Sequence, residues 1–385
     1  MKVLLVDPFL TGHHLIYAKK IIEFLKQHNV EIYFMTNDSF NEEIENVKVI
    51  KIENISDKNK FSKIINQTRY YKEILKYVNK YKIDIVHLLY LDNQTLPLIL
   101  SLPYLNKITL KSKVCGTIHW YTNILGYGGL KRKIKISIFN ILKDKFHLFF
   151  VHGKHNKSML KKYLKINSEK IAVIPYGTDQ YEEIDKRNCR EKLGINEDEK
   201  VLLIFGGLRK DKGIDIFIES FKYLQDDNFT VLIAGDNGEY YKIITVLNEY
   251  KNVRLINFNR FINDEEIPCV YGSADVLILP YKKIFSGQSG PLTLAAKYGL
   301  PVIGTNVGEI GSTIEKNDLG IVIEPEDPKI LAQAIREFFR MSREDIDKYR
   351  NQLKQYSIKN SWNVMSEKIY SYYLTLRDDE KGSQD

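Results

Sequence analysis

Two segments of this 385-residue chain combine residue types suited to binding an anion. The first, 205–213, reads Phe-Gly-Gly-Leu-Arg-Lys-Asp-Lys-Gly between an apolar run and a helical pattern. Glycines let a backbone approach a ligand closely, a helix N-terminus attracts anions, and Arg209 and Lys212 add two cations. That combination suits a diphosphate. The spacing is not a P-loop, which needs a Gly-Lys-Ser/Thr ending, and it is not Gly-x-Gly-x-x-Gly. The second segment, 279–296, ends an apolar strand at Pro280 and passes through Ser286, Gly287, Gln288, Ser289 and Gly290 before a helix starts near Pro291. Ser289 as cap and proline in the first turn are N-terminal signals. Free amides there would form a second anion cradle.

The histidines raise a metal hypothesis that the spacing weakens. All eight lie at or before His155. His13 and His14 are adjacent, so their side chains diverge; His152 and His155 are three apart and could chelate only on a helix. No carboxylate or cysteine completes a set nearby, so no metal is expected. Cys115, Cys189 and Cys269 give neither a metal spacing nor a disulfide framework, and a reducing cytoplasm is the expected compartment.

These residues need elements to position them. Short apolar runs alternate with longer segments of helical period, the pattern of a parallel sheet covered on both faces. Strands are predicted at 2–6, 30–36, 47–52, 83–89, 113–119, 146–152 and 171–175. After a polar break at 177–190 a second set follows at 201–205, 230–234, 253–258, 276–279, 301–304 and 320–323. Helices are predicted between them, among them 213–224 and 290–298, and three more at 330–340, 343–356 and 361–376. The expected fold is α/β, with two facing Rossmann-like doubly wound domains. They are an N-terminal domain, 1–178, joined by the helix 361–376, and a C-terminal domain, 179–360, with a disordered tail at 377–385. In such sheets ligands bind at the carboxyl ends of the strands. At 44% hydrophobic and 28% charged the composition is ordinary for a globular chain, and no apolar run approaches the ~20 residues of a membrane span.

Charge is uneven. Residues 1–178 hold 29 Lys and Arg against 14 Asp and Glu, a net of +15; the remainder carries −7, for the total of +8. A basic half suits an anionic partner such as a membrane surface or a phosphorylated acceptor, or simply a solvated surface. The basic, apolar stretch 130–143 could lie on an anionic bilayer with Phe139 and Leu142 dipped into the headgroup boundary, or pack Ile134, Ile138, Ile141 and Leu142 against its own sheet. The basic and aromatic run Arg69, Tyr70, Tyr71, Lys72, with Tyr77 and Tyr81, is expected to be a packed helix face, and nucleic acid is not an expected partner.

The ordered set of motifs carries a resemblance. It comprises strand-Gly-Gly-Leu-Arg-x-x-Lys-Gly, Ser-Ala-Asp-Val-Leu-Ile-Leu-Pro, the loop into a helix, Ala-x-x-x-Gly-x-Pro-Val and Glu-Pro-Glu-Asp-Pro at 324–328, with Val-Ile-Pro-Tyr-Gly-Thr-Asp at 173–179. Together these resemble glycosyltransferase family 4, of GT-B fold. The resemblance implies a retaining, metal-independent transferase using a nucleotide-sugar donor, most readily a UDP-sugar. A glycan or lipid-linked acceptor and surface-polysaccharide or glycolipid synthesis go with it; from the cysteines and the basic half the expected place is the cytoplasm, either free or peripheral on the inner face of the membrane. It gives Arg209 and Lys212 the donor diphosphate and His119 the donor sugar near the reacting carbon. Gly12, Gly207, Ser286, Gln288, Ser289, Gly290, Leu292 and Thr293 would line the donor site, the amides of 289, 290 and 292 holding phosphate. His13 and His14 fall on the acceptor side. It also implies front-side attack, with a donor phosphate oxygen taking the acceptor proton. One departure matters: the family's two glutamates fall at Ser286 and Leu294, and leucine accepts no hydrogen bond. A sugar-nucleotide-binding protein that lost catalysis, or a GT-B epimerase, are the alternatives this leaves.

Overall fold

The computed structural model describes residues 1–9, 13–53, 60–92, 94–122, 129–236, 238 and 244–381. The chain divides into two compact units, Met1–Tyr176 with Trp362–Asp385, and Gly177–Ser361.

The first unit holds a seven-stranded parallel sheet: β1 (Lys2–Val6), β2 (Glu31–Asn37), β3 (Val47–Ile52), β4 (Ile85–Leu88), β5 (Lys113–Ile118), β6 (Leu148–Val151) and β7 (Ile171–Val173). Their order across the sheet is β3-β2-β1-β4-β5-β6-β7. β1 pairs in register with both β2 and β4, so the strand order reverses between β1 and β4. The Ile-Val-His-Leu of β4 is buried throughout, as expected of a strand with helices on both faces. One face packs Leu4, Tyr33, Val86 and Phe149 with Tyr70 and Tyr71; the other packs Val3, Phe34 and Phe150 with Tyr17 and Ile21. Tyr70 and Tyr71 are therefore core residues of the helix Lys60–Tyr81.

Met365, Ile369 and Tyr373 of the last helix, Trp362–Lys381, are fully buried in the second of these cores. That helix continues through residues 377–381, so this part of the segment expected to be a disordered tail is helical. The expectation for Phe139 and Leu142 also changes. Both are buried in the first core, so neither can dip into a bilayer; on the same helix, Gly129–Leu142, it is Leu130, Ile134 and Ile141 that face solvent.

The second unit repeats the plan with β8 (Val201–Phe205), β9 (Phe229–Ala234), β10 (Val253–Phe258), β11 (Val276–Leu279), β12 (Val302–Thr305) and β13 (Gly320–Ile323), in the order β10-β9-β8-β11-β12-β13. Here the order reverses between β8 and β11. The polar stretch 177–190 is not a bare linker. It enters the helix Lys186–Lys192, where buried Arg190 donates to the carbonyls of Ser273, Asn196 and Glu197 and pairs with Asp275 at 3.0 Å. Near the chain's return, Thr178 bridges Ser361 in parallel and its hydroxyl donates to the Ser357 carbonyl. Cys189 and Cys269, 80 positions apart, bring their sulfurs to 2.9 Å as free thiols, a proximity the spacing did not disclose. Among the described residues no helix is long and apolar enough to cross a membrane.

Candidate active site

In the second unit, the loops after β8 and β11 meet where the strand order reverses, the crevice in which open α/β sheets bind ligands. Gly213 makes the approach possible. Its φ is +67°, and a Cβ there would stand 1.9 Å from the Pro280 carbonyl oxygen, so no other residue fits without moving the backbone. The Lys282 amide then donates to the Asp211 carbonyl at 3.0 Å and stitches the two loops together.

Both expected cations stand on the first loop. Arg209 makes a two-pronged contact with Asp211, at 3.1 and 2.9 Å, and is half exposed. Lys212 is half-buried, donates to the Tyr281 hydroxyl at 2.5 Å, and lies 3.8 Å above the Tyr281 ring. Burial, with Arg209 nearby, pulls the Lys212 ammonium down to about 7, Asp211 opposing. Lys212 is thus not the permanently charged group expected of it. A bound diphosphate would favour its charged form.

On the second loop, Tyr281 also reaches the Ser289 hydroxyl at 3.2 Å, linking both loops through one side chain. Tyr281 was missed, since an aromatic beside a strand end carries no anion-binding signal. Ser289 caps the helix Gly290–Tyr298 as expected. The cap has a consequence for the cradle. The Leu292 amide donates back to Ser289, at 3.1 Å to its carbonyl and 3.4 Å to its hydroxyl, and Thr293 sends its amide to the Ser289 carbonyl and its hydroxyl to the Gly290 carbonyl. Leu292, whose amide was expected to hold phosphate, and Thr293, expected to line the donor site, thus spend these donors inside the first turn.

Gly207 lies on the β8 loop, where the next amide, of Leu208, donates to the Asp236 carbonyl at 2.9 Å. Gln288 is half-buried and Ser286 buried. The turn at Gly308 passes close to Ser286, 3.4 Å from an ideal Cβ to the Ser286 Cα, and is followed by Glu309, a buried acid that no motif singled out.

In the first unit the reversal between β1 and β4 is equally furnished. Asp7 follows β1, Tyr90 and Asp92 follow β4, His119 follows β5, His152 follows β6 and Tyr176 follows β7. His119 is only 3% exposed. Its Nε2–H donates to the Leu89 carbonyl at 3.0 Å, its ring stacks on Tyr90 at 3.8 Å, and burial holds it well below the usual imidazole range. Asp92 accepts the amides of His119 and Trp120 at 3.0 and 2.6 Å and so fixes the turn that carries His119; its own burial pushes it up to about 6. His14 stacks on the other face of the ring set, 3.5 Å from Tyr90, with its Nδ1 3.0 Å from Asp7. Gly12 lies outside the described residues, and so does the side chain of His13. His152 precedes the helix Lys154–Leu164 that carries His155, and its Nδ1–H donates to the Pro175 carbonyl at 3.1 Å, so the two do not share a helix face. Among the described residues no group of three or more His, Cys, Asp or Glu is placed to hold a metal ion.

With this geometry in place, residues 185–360 match the model of the glycosyl transferases group 1. That segment, a little under half of the chain, is similar to the glycosyl transferases group 1. It is the same segment that holds Arg209, Lys212 and the Ser289 cap. N-acetyl-alpha-D-glucosaminyl L-malate synthase of Bacillus anthracis is 28% identical over 51% of this chain and 51% of its own. The UDP-Gal:alpha-D-GlcNAc-diphosphoundecaprenol alpha-1,3-galactosyltransferase of Escherichia coli is 25% identical over 60% of each. The chain thus spans about half the length of the curated relatives it matches first. A glycosyltransferase structure from Rickettsia africae superposes with a TM-score of 0.74 at 21% identity, over 97% of this chain and 98% of that one. The fold is accordingly GT-B, with two Rossmann-like parallel-sheet units.

Proposed function

We propose that this chain is a glycosyltransferase that moves a sugar from a nucleotide-diphosphate donor to an acceptor hydroxyl in surface-glycan or glycolipid synthesis. One observation carries the reading: Arg209, Lys212 and the Ser289-capped helix converge at the strand-order reversal of the segment similar to group 1. The acceptor oxygen bonds the anomeric carbon as the carbon–phosphate-oxygen bond breaks. The departing electron pair goes to the diphosphate, whose charge Arg209 and protonated Lys212 stabilise. No divalent ion enters this scheme. The donor is proposed to be a UDP-sugar and the transfer retaining; the acceptor, a glycan or lipid-linked glycan, belongs to the basic first unit, with an anionic membrane surface as partner.

The test incubates the protein with UDP-, GDP- and dTDP-sugars and lipid extract, with and without EDTA, and measures free nucleotide and the anomer of the product. Turnover of one donor that survives EDTA is expected. A second reading rests on Ser286 and Leu294, which offer no carboxylate to the donor. Nucleotide binding without turnover of any donor would support that non-catalytic reading and overturn the first.

A further inference from the structure

The two loops of the second-unit crevice meet in one side chain. Tyr281, two positions beyond β11, is 2% exposed, and the Thr305 hydroxyl at the end of β12 donates to its carbonyl at 2.7 Å. Its phenol oxygen accepts from the Lys212 ammonium at 2.5 Å. The same Nζ lies 3.8 Å from the centre of the Tyr281 ring and 4.9 Å from that of Phe285, and the two rings pack at 4.5 Å. They form an aromatic wall against which the ammonium is held. The phenol also reaches the Ser289 hydroxyl at 3.2 Å, and Ser289 in turn accepts the Leu292 amide as cap of the helix Gly290–Tyr298.

The direction of these bonds follows from the donors at hand. An ammonium has three N–H groups and no acceptor, so Lys212 donates to the phenol oxygen and has two N–H groups beyond that bond. Burial raises the Tyr281 phenol above its usual range, so it keeps its proton and can donate it to Ser289. An acceptor offered to a buried ammonium favours the charged form, against the burial that disfavours it. Of the neighbouring charges, Arg209 opposes the charged form of Lys212 and Asp211 supports it. Lys282, next to Tyr281 in sequence, is paired with Asp215 at 2.6 Å.

We infer that Tyr281 is a positioning residue of the donor site: its hydroxyl holds the Lys212 ammonium where the diphosphate binds and couples it, through Ser289, to the capped helix. Every group in this chain belongs to the second unit. The inference rests on the reading of this crevice as a diphosphate site.

The test removes one oxygen and keeps the wall. Tyr281→Phe retains the ring beneath Nζ and the packing on Phe285. UDP is titrated by calorimetry between pH 7 and 8.5, in two buffers of different ionisation enthalpy, into wild type, Tyr281→Phe, Lys212→Ala and the double variant, with melting temperature followed in parallel. Ionisation of UDP itself is common to all four, so differences in proton uptake belong to the chain. Tyr281→Phe should weaken UDP binding by about 3–10-fold, the worth of one hydrogen bond. Without the phenol oxygen the free amine holds its proton less well, so the uptake curve should move to lower pH and uptake at pH 7 should exceed that of wild type. In the Lys212→Ala background, Tyr281→Phe should change neither affinity nor uptake. Unchanged affinity, an equal loss in both backgrounds, or a lower melting temperature with the uptake curve in place would overturn the assignment and leave Tyr281 a structural tie. Wild-type protein that binds no UDP would overturn the diphosphate reading and the inference together, before any substitution is made. UDP binding with the displaced curve but no turnover of any donor would overturn the transferase reading alone and support Tyr281 in its place.

Discussion

At the scale of single residues, the diphosphate cradle is a set of compromised charges that a ligand restores. Arg209 is already paired with Asp211, and Lys212 is held near neutrality by burial. Replacing either by alanine should weaken UDP binding by about 1.5–3 kcal/mol, the worth of one charge-assisted contact, as read by titration calorimetry. Lys212 adds a signature that Arg209 cannot. Its free-state pKa of about 7 is raised by a bound anion, so above pH 7 binding must take up a proton. UDP affinity is therefore expected to rise as pH falls from 8.5 towards 7, where UDP itself no longer changes charge appreciably. Calorimetry in two buffers of different ionisation enthalpy should report the uptake in wild type, and Lys212→Ala should abolish it. A pH-independent affinity with no uptake would overturn the assignment of Lys212 to the phosphates.

At the scale of elements, the strands were legible because both faces of each sheet are covered. Runs such as Val-Leu-Leu-Val in β1 and Leu-Phe-Phe-Val in β6 needed no partner to be recognised as buried strands. The pairings that build the sites were not legible, because they join positions far apart in sequence. Lys212 meets Tyr281 across 69 positions, and Gly213 gives no sign in sequence of the carbonyl packed against it. The Asp7–His14 pair was hidden differently: seven positions apart, the two look unrelated until strand and helix turn back on each other.

The docking of the last helix shows the same limit. His87 of β4 is fully buried, with Nδ1 2.5 Å from the Tyr373 hydroxyl and Nε2 2.8 Å from Thr117 Oγ1. Burial pulls His87 down to about 3, below the ordinary imidazole value of 6.5. Its neutral form is the one the fold accepts, so its contribution is present above pH 6.5 and lost as pH falls towards 3. At pH 4.5 that loss is about 2–3 kcal/mol. The stability gap between wild type and His87→Gln, which does not titrate, should narrow by this much between pH 7 and pH 4.5 in denaturant melts. A gap that stays constant would mean that His87 is not excluded from its charged form.

At the scale of the whole molecule, charge and exposed apolar surface coincide. The net of +15 over residues 1–178 includes the helix Gly129–Leu142, whose burial of Phe139 and Leu142 defines the opposite face as solvent-exposed. That face presents Leu130, Ile134 at 50% and Ile141 at 54% exposure, four and seven positions apart and so on one stripe, with Lys133 exposed beside them. An exposed apolar stripe flanked by lysine is what an anionic bilayer surface accepts, lysines at the headgroups and aliphatic side chains at the acyl boundary. The proposed membrane contact therefore passes from Phe139 and Leu142 to Leu130, Ile134 and Ile141. Vesicles containing phosphatidylglycerol should sediment the protein, phosphatidylcholine vesicles should not, and raised salt should release it, because attraction between surface charges is screened beyond about 8–10 Å. The double substitution Ile134→Asp with Ile141→Asp should abolish sedimentation while leaving UDP affinity unchanged and melting temperature near wild type, since both residues are at least half exposed. Binding that survives the double substitution would locate the contact elsewhere on the basic half, and no binding to either vesicle would reduce the charge asymmetry to a solvated surface.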